Sequence, residues 1–127
     1  MAFQYGTTLR NNQVSQLQST IGASGVLKIF SGAEPANCAA ADPSGLLCTI
    51  TLPATFLTSS GGVTTIAGSW TANASATGTG ACFRMYDGSA VCHIQGNVTT
   101  DLVLNNTSIV SSQTVTVTSF TVTAGNA

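Results

Sequence analysis

The side chains in this sequence that could do chemistry are four cysteines (Cys38, Cys48, Cys82 and Cys92), one histidine (His93) and four carboxylates (Glu34, Asp42, Asp87 and Asp101). An even number of cysteines invites a disulfide framework, but local geometry restrains it. Asp87-Gly88 reads as a two-residue hairpin turn. In that register Tyr86 faces Ser89, Cys82 faces His93, and Cys82 and Cys92 point to opposite faces. Cys38 to Cys48 is the easier bridge, because Cys38 sits in a loop able to fold back onto the strand that follows. The expected state is nonetheless buried free thiols, as in a reducing compartment. Zinc asks for closely spaced ligand pairs, which neither Cys pair supplies, and Cys92 and His93 are adjacent on a strand and point apart. A Cys82–His93 pair across the hairpin would in principle activate a thiolate; a polar ring at a hairpin position is the preferred reading. Glu34 and Asp42 lie in a loop, Asp87 in a turn and Asp101 at a strand start, and none forms an acid–base pair of the glycosidase type. No phosphate loop, nucleotide fingerprint or calcium loop is present. The residues therefore predict no enzyme, no metal site and no cofactor.

The elements that must position these side chains are short and mostly extended. Leu9, Val14, Leu17 and Ile21 fall close to one helical face, Thr7 and Thr8 can cap it, and Gly22 supplies a stop. The spacing predicts one helix over 8–21. It is too short to stand alone in water, so it docks on its own sheet or on a neighbouring subunit. Ahead of it, Phe3 and Tyr5 face one side if extended, and burying both against a neighbour would contribute about 3–5 kcal/mol. Val26–Phe30 reads as a strand, Ser31–Gly45 as a long loop, and Leu46–Leu52 as an alternating strand ended by Pro53. Val63–Ile66 and Gly68–Ala76 are weaker strands; Ala81–Tyr86 and Ala90–Val98 flank the Asp87-Gly88 turn; Leu102–Leu104 is short. Thr114–Thr123 is the clearest strand, and its apolar parity flips at Ser119, which predicts a bulge or a change of sheet there. Short strands with turn signals between them predict an antiparallel β-sandwich or small barrel. The expected division is an N-terminal arm and helix over 1–24 and a β-sandwich over 25–127, one domain overall.

Only seven of the 127 residues are charged: Arg10, Lys28, Glu34, Asp42, Arg84, Asp87 and Asp101. About 30 would be usual at this length. Twenty threonines, 14 serines and 13 glycines stand in their place, so the surface is solvated by hydroxyls and backbone. Three scattered cations cannot replace the counterions of a nucleic acid or hold an anionic membrane, and no apolar stretch approaches the ~18–20 residues of a membrane span. The expected partners therefore include neither. A net charge of −1 gives little repulsion between copies, so self-association is tolerated. Glycosylation sequons at Asn73, Asn97, Asn105 and Asn106 read as chance matches in a Ser/Thr-rich chain. Trp70, Phe83 and Tyr86 offer a sugar-binding face, although the core is the default place for aromatics. Met1–Arg10 carries neither the basic nor the apolar region of a secretory signal. A composition of extracellular style without that signal points to assembly inside a host cell and release by lysis.

Several stretches follow one another in an order that covers nearly the whole chain. The helix over 8–21 runs into Gly25-Val-Leu-Lys-Ile-Phe-Ser-Gly-Ala-Glu-Pro-Ala, then Leu46-Leu-Cys-Thr-Ile-Thr-Leu-Pro and Ser60-Gly-Gly-Val. Ala76-Thr-Gly-Thr-Gly-Ala-Cys-Phe-Arg-Met-Tyr-Asp-Gly, Gln95-Gly-Asn-Val and the run from Asp101 to Phe120 complete it. This order resembles a family of small virion-associated proteins of tailed bacteriophages. The resemblance implies a capsid cement or decoration protein: a jelly-roll-like β protein, trimeric, binding the major capsid protein in the virion. It implies no catalytic residue, and the cysteines are not part of its pattern. The candidate interaction residues are Phe3, Tyr5, Leu9, Val14, Leu17 and Ile21, with the loop Ser31–Gly45 as a second arm for clasping a neighbour. Deleting residues 1–21 is expected to leave a folded β domain that no longer attaches. A tail or baseplate component of the same kind of particle, or a carbohydrate-binding module, is the alternative reading.

Overall fold

The apolar alternation of the strands dictates two sheets that bury their facing sides. The computed structural model describes residues 3–125, so residues 1–2 of the expected arm and 126–127 of the expected β domain lie outside the described residues. Helix α1 covers Thr7–Ile21. Thr7 and Thr8 lie inside it rather than capping it: extended Gly6 is the N-cap, and its carbonyl accepts from Arg10 N–H at 3.0 Å. At the other end Gly22, at φ +79°, turns the chain out of the helix and its N–H donates to the Gln18 carbonyl at 2.8 Å.

Strands β1 (Val26–Phe30), β2 (Leu46–Thr51), β7 (Cys82–Tyr86) and β8 (Cys92–Asn97) form one antiparallel sheet in the order β2-β1-β7-β8. Strands β3 (Leu57–Ser60), β4 (Val63–Ile66), β11 (Thr114–Thr123) and β5 (Thr71–Asn73) form the second in that order, with β9 (Leu102–Leu104) also paired to β11. Short β6 (Gly78–Thr79) and β10 (Ser108–Ile109) make a separate ribbon. The predicted irregularity in the last strand is real. Thr114–Thr116 pairs with β5, the β9 register shifts between Val117 and Ser119, and Thr121–Thr123 pairs with β4. One strand thus serves three partners along its length, and the register shift of a bulge falls between the segments that pair with β5 and β4.

Leu27, Ile29, Ile50, Phe83 and Met85 of the first sheet pack against Leu57, Val115, Val117 and Phe120 of the second, together with Phe56 and Trp70. The protein is mainly β with one short helix, arranged as a sandwich; the sheet orders do not establish the jelly-roll connectivity that the resemblance implies. A chain of rings ties the layers: Phe56–Trp70 at 6.0 Å, Trp70–Phe120 at 5.9 Å and Phe83–Phe120 at 5.7 Å between centroids. Trp70 Nε1–H donates to the carbonyls of Phe56 and Ala67, both at 3.2 Å, so the indole is buried without an unsatisfied polar atom. Trp70, Phe83 and Tyr86 are all buried, the default for aromatics, so they present no sugar-binding face. Their area is worth more in the core than exposed.

The helix docks on its own second sheet. Val14 and Ile21 are buried and Leu17 packs at the edge of the core. Gln18 Oε1 accepts from Leu57 N–H at 2.8 Å, Asn11 Oδ1 from Gly62 N–H at 2.7 Å, and Arg10 donates to the carbonyls of Gly61 at 3.3 Å and Ala124 at 3.0 Å. The helix and the β3–β4 hairpin therefore complete one another, and α1 belongs to the sandwich rather than to a detachable arm.

Candidate functional site

The most built-up part of the molecule lies outside the sandwich core, where loop 31–45 crosses the outer face of the first sheet. A close backbone approach shuts its base: Ser31 N–H donates to Gly45 O at 2.9 Å and Gly32 N–H to Ser44 O at 3.0 Å. A Cβ on Gly32 would lie 2.7 Å from the Ser44 carbonyl oxygen, so glycine is required there. At the loop's tip Asn37 Oδ1 accepts from the N–H groups of Ala39 and Ala40, at 2.9 and 3.0 Å. Every residue of β7 is buried in consequence: Phe83 and Met85 face the core, while Cys82, Arg84 and Tyr86 lie under the loop.

Arg84 is the hub. Only 1% exposed, it donates through Nη1 to Asp42 Oδ1 at 2.6 Å and through Nη2 to the carbonyls of Cys38 at 2.7 Å and Ala40 at 3.1 Å. The Tyr86 hydroxyl donates to the same Asp42 oxygen. Lys28 Nζ stands 4.9 Å over the Tyr86 ring, and Gln95 Nε2 reaches the Pro35 carbonyl at 2.8 Å. Burial works against ionisation of Asp42, but the hydrogen bonds from Tyr86 and Arg84 and the nearby cations outweigh it and hold the carboxyl below its usual range. Burial and the bond to Asp42 push the Tyr86 phenol up, so it stays a donor. Lys28, Cys38, Asp42, Arg84, Tyr86 and Cys92 line an open cleft of about 350 Å³.

The cysteines are arranged differently from the expectation. All four are free thiols. Cys48 is buried on the inner face and its thiol points to the carbonyls of Ala72 and Asn73, so the Cys38–Cys48 bridge is not made. Cys38 instead lines the same cleft as Cys92, whose thiol donates to the Ile94 carbonyl at 3.5 Å. Cys82 donates to Gly32 O at 3.3 Å, and burial pushes its thiol up. The predicted Cys82–His93 pair is absent because the hairpin loop is wider than Asp87-Gly88. Asp87 Oδ1 accepts from Ser89 N–H at 2.8 Å and Val91 N–H at 3.0 Å, which stabilises a loop through Val91 with Ala90 at φ +63°. Tyr86 then pairs with Cys92 and Cys82 with Asn97. His93 Nε2 meets Asp87 Oδ2 at 2.9 Å, a bond that holds this carboxyl below its usual range.

The candidate interaction residues divide. Phe3 is 72% exposed and stacks edge-on against Tyr5 at 5.2 Å, and Leu9 is 48% exposed. Val14 and Ile21 are turned into the protein's own core and Leu17 against it, so those three are corrected from partner contacts to packing residues. Among the described residues no group of three or more metal-ligating side chains converges, and no helix is long and apolar enough to cross a membrane. The chain matches no family model, no curated protein and no solved structure.

Proposed function

We propose that the protein is a structural component of a tailed-bacteriophage virion: a cement or decoration protein that associates with its own copies as a trimer and binds the major capsid protein. The observation that carries this reading is where the charges go. Arg84 and Asp42 pair beneath the loop, Arg10 ties the helix to Gly61 and Ala124, Asp87 meets His93, and Asp101 accepts from Asn97 N–H. Lys28 rests over the Tyr86 ring. Glu34 is left exposed on the loop. Nearly every charge thus serves local structure, and the outer surface is hydroxyl, amide and small apolar groups, with Phe3, Leu9, Val91, Val103 and Val110 exposed. Such a surface packs beside copies of itself with little electrostatic cost, and a modest interface repeated over a closed shell gains avidity. The order of sequence stretches resembling virion-associated proteins supports the same reading.

Phe3 and Leu9 are the exposed anchors on the arm side. Burying each against a capsid subunit would contribute about 1.5–3 kcal/mol. The double substitution Phe3→Ser with Leu9→Gln is expected to keep the circular dichroism spectrum and thermal midpoint while lowering occupancy on purified capsids by at least tenfold. Unchanged occupancy would remove the arm as the anchor. Failure of the unsubstituted protein to bind capsids would reject the cement role.

A further inference from the structure

We infer that Cys38 and Cys92 form a reversible dithiol site that closes to a disulfide, locking loop 31–45 onto β8. Three observations on the geometry carry this. The two thiols line the same open cleft, each partly exposed, whereas Cys48 and Cys82 are fully buried elsewhere. The backbone that bears Cys38 is fixed, since its carbonyl accepts from Arg84 Nη2 at 2.7 Å while Asn37 and Ala40 hold the turn around it. The backbone that bears Cys92 is fixed too, by its pairing with Tyr86 across the β7–β8 ladder. Both thiols are thus presented to one cleft by elements that converge on Arg84.

The co-reactant is a low-molecular-weight disulfide such as oxidised glutathione, which meets the partly exposed Cys38 from solvent. A thiolate at Cys38 attacks one sulfur of the reagent, and the first small thiol leaves. Cys92, kept protonated by burial, loses its proton as it attacks the Cys38 sulfur of the mixed disulfide, and the second small thiol leaves. The two protein thiols are oxidised and the reagent is reduced to two thiols. The pair would be open against a cytosolic thiol pool and closed outside the cell. Closing it replaces the loop's dependence on the Arg84–Asp42 ion pair with a covalent tie. The inference does not rest on the proposed function, because it concerns only side chains within one chain.

The test equilibrates the full-length protein in glutathione buffers of increasing oxidised fraction, quenches with an alkylating agent and maps peptides by mass spectrometry. The expected product is a Cys38–Cys92 linked peptide with Cys48 and Cys82 alkylated, and a thermal midpoint raised by on the order of 10 °C. Cys38→Ser and Cys92→Ser should each abolish the link, leave one glutathione adduct on the remaining cleft thiol and cancel the thermal gain. Phenylarsine oxide, which needs two adjacent thiols, should bind the reduced unsubstituted protein and neither variant. This reading holds even if a variant is less stable, because the unsubstituted protein alone reports the pair. A link involving Cys48 or Cys82, separate glutathione adducts without a link, or thiols that stay reduced in the most oxidising buffer would each overturn the inference.

Discussion

Arg84 shows how one residue can decide what a loop does. In sequence it stands at an alternate position of a half-buried strand and reads as solvent-facing, opposite Lys28 and Gln95. Its burial comes entirely from a loop that begins more than 40 positions earlier, and no local pattern announces that cover. Replacing it with methionine keeps the aliphatic stem but removes the bonds to Asp42, Cys38 and Ala40. Because Asp42 is 43% exposed and can rehydrate, the expected cost is about 2–3 kcal/mol, the range of hydrogen bonds to charged groups. A urea midpoint unchanged from the parent would contradict it. The same cluster sets a pH dependence. Asp42 ionises more readily in the folded state than its usual 3.8, so its stabilisation is present above that value and is lost as pH falls through the lower folded value. Cys92 behaves oppositely: burial and the neighbouring Cys38 push the thiol from 9.0 up to about 11, so stability falls as pH rises across that window. Asp42→Asn should flatten the acid limb and Cys92→Ser the alkaline one, as read by thermal midpoints across pH.

At the scale of elements the helix is the main revision. Its residues were legible as one apolar stripe, yet the stripe splits: Val14, Leu17 and Ile21 pack inward while Leu9 stays half exposed. Ile21→Ala is expected to cost about 2–4 kcal/mol and Leu9→Ala less than about 0.5, measured by urea denaturation. Equal costs would contradict docking in cis. For the same reason, deleting residues 1–21 should destabilise the sandwich rather than merely free it, since the β3–β4 hairpin loses partners at Leu57 and, in its turn, Gly62. Strands with strong alternation or clear punctuation, Val26–Phe30, Val63–Ile66, Leu102–Leu104 and Thr114–Thr123, have the bounds their patterns predict. The parity flip at Ser119 foretold the bulge because side-chain alternation is a local property of the backbone. Leu57–Ser60, Gly78–Thr79 and Ser108–Ile109 were not legible, being too short and polar to alternate and held by their neighbours. The stretch over 68–76 narrows to Thr71–Asn73, with Gly68 at φ +71° before it. The Asp87-Gly88 turn misled because the Asp87 carboxylate prefers two N–H groups further on, and a side-chain bond outside the turn dipeptide set the register of both cysteine strands.

The whole molecule is a charge-poor sandwich whose few ions are spent on holding a helix and a loop in place. That leaves a surface with little long-range field, suited to close packing among many neutral neighbours. The candidate site was only partly legible. The aromatic pair Phe3–Tyr5 could be read from the sequence, but the exposure of Leu9 could not, and the cleft lined by Cys38 and Cys92 required a loop closure that sequence spacing does not encode. A cement protein must also be abundant, because each copy covers only its share of a repeating shell. The most direct measurement is a cryo-electron microscopy reconstruction of purified virions, with copy number checked by quantitative gel. The expected result is density for this sandwich as trimers on the outer capsid surface, at a stoichiometry approaching that of the major capsid protein. Density confined to the tail or baseplate, or a handful of copies per particle, would contradict the cement role.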